Sequence, residues 1–507
     1  MRTWFDRQRL VGSLVGIASA AVALGIAELI AALTGPRSAP VVAVGGVIID
    51  SVPLPVKQFA TSTFGTHDKT ALVLGTIVIL AVFAAVIGAL AVRDIRFGYA
   101  GIAVFGLIGA LAAVTRAGAG IGAIFPSLLG AVAGGLVLSV LIRGWRPPRP
   151  DLATDEGRRT VMIASLVALA GAAVAEFIGR QLGERRNVAA ARNAIVLPTP
   201  SVTPSALPPD AAVSGQTPFV TANGDFYRID TAISVPQVDP TTWTLKIHGM
   251  VDKPITLTYD QLLKRPMIER YITLCCVSNP VGGNLIGNSL FQGVPLKDLL
   301  EEAGPHASAD QIVGRSIDGF TAGSPTSVVM DGRDAMLAVA MNGQPLPVEH
   351  GFPVRVVVPG LYGYVSATKW VTELEFTTFA SFDAYWVPRG WSAMGPIKTE
   401  SRIDTPLDGT SKRAGTITVA GVAWAQHRGI SKVEVRVDDN DWQTATLDAV
   451  PSTDTWRQWR WDWAASAGQH QLQVRATDNA GQTQTANIAP EPPDGATGYH
   501  TINVRIT

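Results

Sequence analysis

The chain opens with five long stretches almost free of charge. Leu10 to Thr34 carries one ionisable residue, Glu28; residues 70–92, 97–115 and 117–142 carry none; residues 160–179 carry only Glu176. Each approaches or exceeds the roughly 20 apolar residues that a helix needs to cross hydrocarbon, where a helix satisfies its own backbone. The pattern predicts five membrane-spanning helices within residues 1–182. A shorter apolar run over 40–56 ends at Asp50, with Pro53 and Pro55 behind it. It reads as a re-entrant or interfacial piece, a sixth span being the alternative.

The pattern then changes. Residues 196–218 (VLPTPSVTPSALPPDAAVSGQTP) are rich in Pro, Ser and Thr and read as a semi-extended tether, within a linker over 183–218. From Phe219 the periodicity becomes mixed. WTLKIHG alternates like a strand, ITLTYDQLL runs from strand into short helix, RYITLCCVSN is a strand entering a polar turn, and PVRVVVP is a buried strand. Gly304 is placed to stop a helix over PLKDLLEEAG. This mixture predicts an α+β domain over 219–405. The last segment, 406–507, contains ITVAGVAW, KVEVRVDD, WRWDW and HQLQVRATD between short turns, which predicts a small β-sandwich. Its tryptophans, Trp456, Trp459, Trp461 and Trp463, are expected on strand faces packed against a sheet or a neighbouring domain.

Charge sharpens this division. The 507 residues are 16% charged, below the usual quarter, with no net charge. Residues 1–196 carry 18 basic and 10 acidic side chains, the remainder 23 and 31. That balance speaks against a nucleic-acid partner and for a lipid bilayer around the front. Arg2, Arg7 and Arg9, then Arg93 and Arg96, then Arg143, Arg146, Arg149, Arg158 and Arg159 fall in alternate connections. Placing them inside gives an inner-membrane, multi-pass protein with its large C-terminal part outside the cytoplasm. Arg180, Arg185, Arg186 and Arg192 would then lie outside. Twin arginines at 158–159, before a moderately apolar run, resemble the signal for exporting folded proteins, an ordinary cytoplasmic basic cluster being the alternative.

Two cysteines are present and adjacent, Cys275 and Cys276, which rules out a disulfide scaffold and an all-Cys zinc site. No CxxCH for covalent haem occurs, and none of the seven His lies in a predicted span. LCCVSN, followed by Gly282 and Gly283, places a thiol at the end of a strand in a Gly-rich turn. A thiolate there suits a soft or redox-active metal, although on the residues alone a Cys in such a place is more often buried filler. Two further stretches, HGFPVR (350–355) and PGLYGYVSATKW (359–370), set cationic side chains beside Gly turns and hydroxyls, a cradle for phosphate without the P-loop spacing.

Taken together and in this order, WTLKIHG, TLCCVSN, GVPLKDLL, MNGQPLPVEHGFPVR, PGLYGYVSATKW and YWVPRGW resemble the molybdopterin-binding domain of the sulfite oxidase family. Residues 415–487 are similar to the immunoglobulin-like domain that follows it there, and the apolar front resembles the membrane-anchored bacterial members. The resemblance implies a three-part fold: an α-helical membrane bundle, an α+β molybdopterin-binding domain and an immunoglobulin-like β-sandwich. It implies that Cys276 ligates molybdenum, that Cys275 is its inward-facing neighbour, that Arg228 faces the metal pocket, and that Arg355 and Lys369 add positive potential near the substrate, Cys276, Arg228 and Arg355 being the catalytic set. Asn279, His350, Arg355, Ser366, Thr368 and Lys369 match positions that hold the pterin and its phosphate. Two departures bear on substrate. After Arg228 the family's oxidases often carry Asn and His, where this chain has Ile229 and Asp230, and Arg389-Gly390-Trp391 replaces the stretch with the eukaryotic active-site Tyr.

The implied activity is oxygen-atom transfer to or from a small substrate, a sulfite-like anion or a sulfoxide. The cofactor is molybdenum on a pyranopterin dithiolene, and electrons are exchanged with a separate partner, a cytochrome or a membrane redox protein. A non-catalytic tethered binding module with a degenerate pterin domain is the alternative. The oligomeric state is left open.

Overall fold

Gly12 and Gly16 begin the packing of the membrane bundle. In the computed structural model, which describes residues 2–53, 56, 59, 63, 68–116, 119–144, 156–184, 188–207 and 213–507, they lie on α1 (Arg2–Thr34) against α3 (Asp68–Ala91). A Cβ at Gly16 would stand 2.0 Å from the Ala84 carbonyl, and one at Gly88 2.1 Å from that of Gly12. Lipid tails are as apolar as leucine, so close backbone approach between small residues drives such pairing. The same device recurs where Gly130 of α5 (Phe125–Gly144) meets the Ala23 carbonyl at 2.4 Å. It recurs again where Gly25 meets Ala172 of α6 (Glu156–Glu184). With α4 (Ile95–Val114), capped by the Asp94 side chain, this makes five helices among the described residues that are long and apolar enough to cross a membrane. The intervening α2 (Pro40–Ser51) has 12 residues. At about 1.5 Å per residue it is too short to span, in line with the re-entrant reading.

The chain divides into two compact units. The first comprises Met1–Asn187 with Thr231–Gln237, a segment tied to the helices by Lys69 Nζ donating to the Ala232 carbonyl at 2.8 Å. The second comprises Val188–Asp230 with Val238–Thr507. The Pro-rich stretch is therefore no free tether where it is described. Ser201 N donates to the Met267 carbonyl at 2.7 Å, Glu269 N to that of Val202 at 2.8 Å, and Gln292 Nε2 to that of Pro198 at 2.6 Å. A proline-rich strand keeps its carbonyls, and these complete a sheet edge. Residues 208–212, with Arg146, Arg149, Arg185 and Arg186, lie outside the described residues. Arg192, in α7 (Ala189–Asn193), donates to the Leu346 and Pro345 carbonyls within the second unit.

Two sheets build the α+β domain. One has the order β2-β1-β10-β5-β6: β2 Ile255–Thr258, β1 Thr244–Gly249, β10 Val371–Thr377, β5 Gln311–Ser316 and β6 Thr321–Pro325, with β1 and β10 parallel. The other has β3 Ile268–Cys275, β4 Ile286–Pro295, β7 Met336–Met341 and β8 Gln344–Pro345, with β9 (Arg355–Val357) on β7. Every residue of β7 is buried, and Ile272, Leu274, Phe291, Phe352 and Val357 pack around it. This core supports the sheet whose strand β3 ends at the cysteines.

The sandwich begins at Glu400, inside the stretch assigned from sequence to the α+β domain. Its sheets are β11-β13-β17-β16 and β12-β19-β18-β14-β15 (β11 Glu400–Thr405, β12 Ser411–Lys412, β13 Gly415–Trp424, β14 Ile430–Val437, β15 Gln443–Thr444, β16 Thr446–Leu447, β17 Arg457–Ala465, β18 Gly468–Asp478, β19 His500–Ile506). The tryptophans are structural. Trp459 fills the sandwich core, and Trp456, fully buried, donates from its indole to the Phe219 carbonyl at 3.0 Å. Thr273 of β3 donates from its N–H to the Asp454 carbonyl and accepts from Trp456 N, so the sandwich locks directly onto the strand leading to Cys276.

Candidate active site

Strand β3 runs out of its ladder at Cys275, paired with Ile286. Cys276 makes one more bond, its N–H to the Leu285 carbonyl at 2.9 Å, and the chain then turns. Asn279 closes the turn: its N–H donates to the Cys276 carbonyl, and its Oδ1 accepts from Leu285 N at 2.7 Å. The two sulfurs have different surroundings. Cys275 is buried and its thiol donates to the Cys276 carbonyl at 3.5 Å. Burial pushes the Cys276 thiol up, while the main-chain and side-chain donors of Ser278 pull it back. Two donors aimed at one sulfur stabilise a thiolate.

The cationic residues gather around Asp230. Asp230 Oδ2 accepts from Lys369 Nζ at 2.6 Å and from Arg228 Nε at 2.9 Å. Lys369 also donates to the Glu349 carbonyl at 3.1 Å, and burial brings its ammonium down to about 8 despite the pull of Asp230. Arg355 is buried, with one donor on the His350 carbonyl at 3.3 Å. Gly351, at φ +111°, leaves no room for a side chain: a Cβ there would come within 3.0 Å of Arg355 Cβ and 3.2 Å of Lys369 Cα. His350 Nε2 lies 3.1 Å from the Asn223 carbonyl, and burial with the nearby Arg355 and Lys369 charges lowers its pKa to about 4. The ring is therefore neutral at physiological pH, with its proton on Nε2.

Tyr227 joins the two clusters. Burial raises its phenol well above the ordinary value, the Cys276 and Cys275 sulfurs raise it further, and Arg355 opposes them. Its ring stacks on Phe226 at 5.2 Å, and Phe226 packs edge-on to His350 at 5.6 Å. Nothing in the local pattern of FYRID distinguished this tyrosine from core filler; its nearness to Arg355 and to the sulfurs needs the long-range path of the chain.

Ser366 and Thr368 sit differently. The Ser366 hydroxyl donates to the Tyr362 carbonyl at 3.0 Å and that of Thr368 to the Gly314 carbonyl at 3.4 Å. Both line an interior cavity of about 10 Å³ under β5 and β6. Three residues of the sandwich brace the back of the cysteine turn and were not singled out from sequence. Arg402 donates to the Gly283 carbonyl at 2.7 Å, and a Cβ on Gly282 (φ +75°) would stand 2.1 Å from the His500 ring. Glu400, buried beside Cys275 and Tyr362, has its carboxyl pushed up to about 8 by burial.

Among the described residues no group of three or more His, Cys, Asp or Glu side chains could cage a metal. A metal here has one protein ligand to offer it, the Cys276 sulfur, and needs its others from a cofactor. Among the described residues of this site, two buried donors have no partner, Arg355 Nε and Asn279 Nδ2. Buried donors are normally satisfied, so these two, with Lys369 and neutral His350, are a donor set that fits an anionic cofactor. A single soft ligand beside such donors would suit a thiolate-bound metal carried on an anionic organic group.

Residues 232–386 match the family model described as the oxidoreductase molybdopterin-binding domain, and residues 400–474 that of a bacterial Ig domain. Mitochondrial sulfite oxidase of Mus musculus is 29% identical over 301 residues, 50% of this chain and 54% of that one. The chain thus spans about half the length of the sulfite oxidases it matches. An uncharacterised oxidoreductase of Bacillus subtilis, YuiH, is 33% identical over 157 residues, 31% of this chain and 76% of its own. The crystal structure of the sulfane dehydrogenase SoxCD from Paracoccus pantotrophus shares the fold over 58% of this chain and 82% of its own, with a TM-score of 0.51 at 24% identity. The chain belongs to the molybdopterin-binding oxidoreductases, with that domain fused to membrane helices and an Ig-like sandwich.

Proposed function

We propose that this protein is a membrane-anchored molybdenum oxidoreductase of sulfite oxidase type, with its catalytic part outside the cytoplasm, and that it moves an oxygen atom to or from a small, weakly charged substrate. The observation that carries the reading is the convergence of the Ser278-supported Cys276 sulfur, Tyr227 and Arg355, with the unpartnered donors Arg355 Nε and Asn279 Nδ2. Cys276 would hold the metal; Asn279, His350, Arg355 and Lys369 would hold the pterin and its phosphate. Molybdenum on its pyranopterin dithiolene supplies two-electron oxygen-atom chemistry when bound. The chain's own contribution is electrostatic. Ser278 donates towards the Cys276 sulfur and partly offsets the cost of burial on its thiolate, which a bound metal would hold deprotonated; Arg355 and the Tyr227 hydroxyl present donors where negative charge builds on a substrate oxygen. Ser366 and Thr368 would act through the backbone they pin, since their hydroxyls are engaged with carbonyls.

Asp230 guides the choice of substrate. Its carboxylate neutralises Lys369 and shares Arg228, lowering the positive potential that a dianion such as sulfite requires. A neutral oxide, a sulfoxide-like substrate, suits this pocket better. The orientation rests on Arg93, Arg96, Arg143 and Arg159 at alternate helix ends.

The test is metal and pterin analysis of the full-length protein beside Cys276→Ser, made in a host that synthesises the cofactor. Wild type is expected to carry about one molybdenum and one pterin per chain, and C276S to retain pterin better than it retains activity. Parallel assays of sulfoxide with a reduced dye and of sulfite with a cytochrome acceptor set substrate and direction. Wild-type protein devoid of molybdenum would sink the reading, and efficient sulfite turnover would sink the preference for a neutral oxide.

A further inference from the structure

Inside the first unit α1, α3, α4 and α5 leave an apolar cavity of about 110 Å³, lined by residues that include Ala27, Leu80, Ile87, Phe105 and Ala131. It contains one polar group out of place. Ser127, 4% exposed on the lining, has a hydroxyl with no hydrogen-bond partner, whereas Ser19, also on the lining, donates to the Val15 carbonyl at 2.8 Å. An unpaired buried hydroxyl costs on the order of 1–3 kcal/mol, and a helix could satisfy it through its own backbone.

We propose that this cavity binds the head ring of a prenyl quinone, with the Ser127 hydroxyl donating to one ring carbonyl. The enclosed space is smaller than the engineered apolar cavity of about 150 Å³ that takes up benzene, so a quinone ring would enter with its substituents and tail directed to the half-buried side of the cavity. The lining supplies hydrocarbon and one donor, which matches a ring carbonyl and gives nothing to hold a phospholipid headgroup. Leu80, Ile87, Ile102 and Phe105 are half-buried rather than sealed in, so an isoprenoid tail has an apolar way out between α3 and α4. The donor lies towards one end of the bundle. A Cβ on Gly109 of α4 would stand 2.6 Å from Ser127 Oγ, one on Gly130 would meet Ala27 Cβ at 3.1 Å, and Gly179 of α6 packs on Glu28, one residue further along α1. That is the end at which α6 finishes.

The consequence for electron supply rests on the proposed molybdenum function. Hydroquinone gives up two electrons and two protons on becoming quinone; a sulfoxide takes up both on becoming sulfide and water. The exchange balances with no further reactant, and runs equally in reverse for an oxidase.

The test measures binding directly, on the full chain in nanodiscs of one synthetic phosphatidylcholine, titrated with decylubiquinone and read by native mass spectrometry. Saturable uptake of one quinone per chain is expected. Ala131→Leu, which fills the cavity, should lower affinity at least tenfold. Ser127→Ala, a smaller change that the bundle tolerates, should lower it by about three- to tenfold, the worth of one hydrogen bond. Absence of saturable uptake, unchanged affinity in both variants, or a phospholipid that decylubiquinone does not displace would overturn the proposal. Molybdenum is assayed in the same preparation: quinone bound without molybdenum overturns the enzymatic reading alone, and molybdenum present without quinone overturns this one alone.

Discussion

Glu400→Gln isolates one pH-dependent stability effect in the second unit. The Glu400 carboxyl is 5% exposed at the start of β11, and no hydrogen bond or ion pair reaches it among the described residues. Burial lifts its pKa from 4.5 to about 8. Between those values the folded chain keeps a proton that the unfolded chain has lost. Stability therefore falls as pH rises, by roughly 1.4 kcal/mol per pH unit, and levels off above about 8. Across the window the loss is at most about 5 kcal/mol. Glutamine has nearly the same shape and does not titrate. Near pH 5 the two proteins should unfold within a few degrees of each other. By pH 8–9 E400Q should unfold at a higher temperature, by up to about 10 °C at roughly 2 °C per kcal/mol for a unit of this size. Ten of the 12 tryptophans lie in the second unit, so tryptophan fluorescence at a fixed scan rate follows its unfolding. Parallel pH profiles for the two proteins, or a lower transition for E400Q at pH 8–9, would refute a carboxyl held neutral by burial.

Further outcomes follow from the same geometry. Tyr227→Phe removes the hydroxyl between Arg355 and the sulfurs, and is expected to lower kcat at least tenfold while molybdenum content stays at the wild-type level; metal analysis beside turnover checks it. In Asp230→Asn the Lys369 ammonium loses the charge that holds its pKa up near 8, so the alkaline loss of affinity for an anionic inhibitor should move to lower pH, read as the inhibition constant against pH. Gly293→Ala places a Cβ 2.2 Å from the Leu337 carbonyl on the next strand, where only backbone can yield; the second unit should lose about 3 kcal/mol or more, seen as a lowered transition temperature. Trp456→Phe removes the indole donor to the Phe219 carbonyl and should cost about 1 kcal/mol, measured in the same way.

Much of the architecture was legible in one dimension. Five nearly charge-free stretches became five long helices because burial in lipid demands uninterrupted apolar residues. The short run ending at Asp50 became the 12-residue α2, with Asp50 paired to Arg116 at 2.8 Å. LCCVSN became a strand and a turn with the second cysteine at its mouth. Pro198, Ser201 and Val202 of the Pro-rich stretch pair with a sheet edge, which composition could not announce, because it reports flexibility and says nothing of N–H and carbonyl groups left to pair. Local signals also said nothing of Ser366 and Thr368 facing an interior cavity, since a hydroxyl's partner depends on what packs over it.

Periodicity determined which segments are helices, strands and turns, because it records burial along a single element. Tertiary structure alone decided the charge state of the pocket. Asp230 meets Lys369 across 139 residues, Arg402 holds Gly283 across 119, and Tyr227 joins Arg355 to the Cys276 turn. Electrostatic pairing depends on separation in space and on the water excluded between the groups, and neither quantity is carried by spacing along the chain.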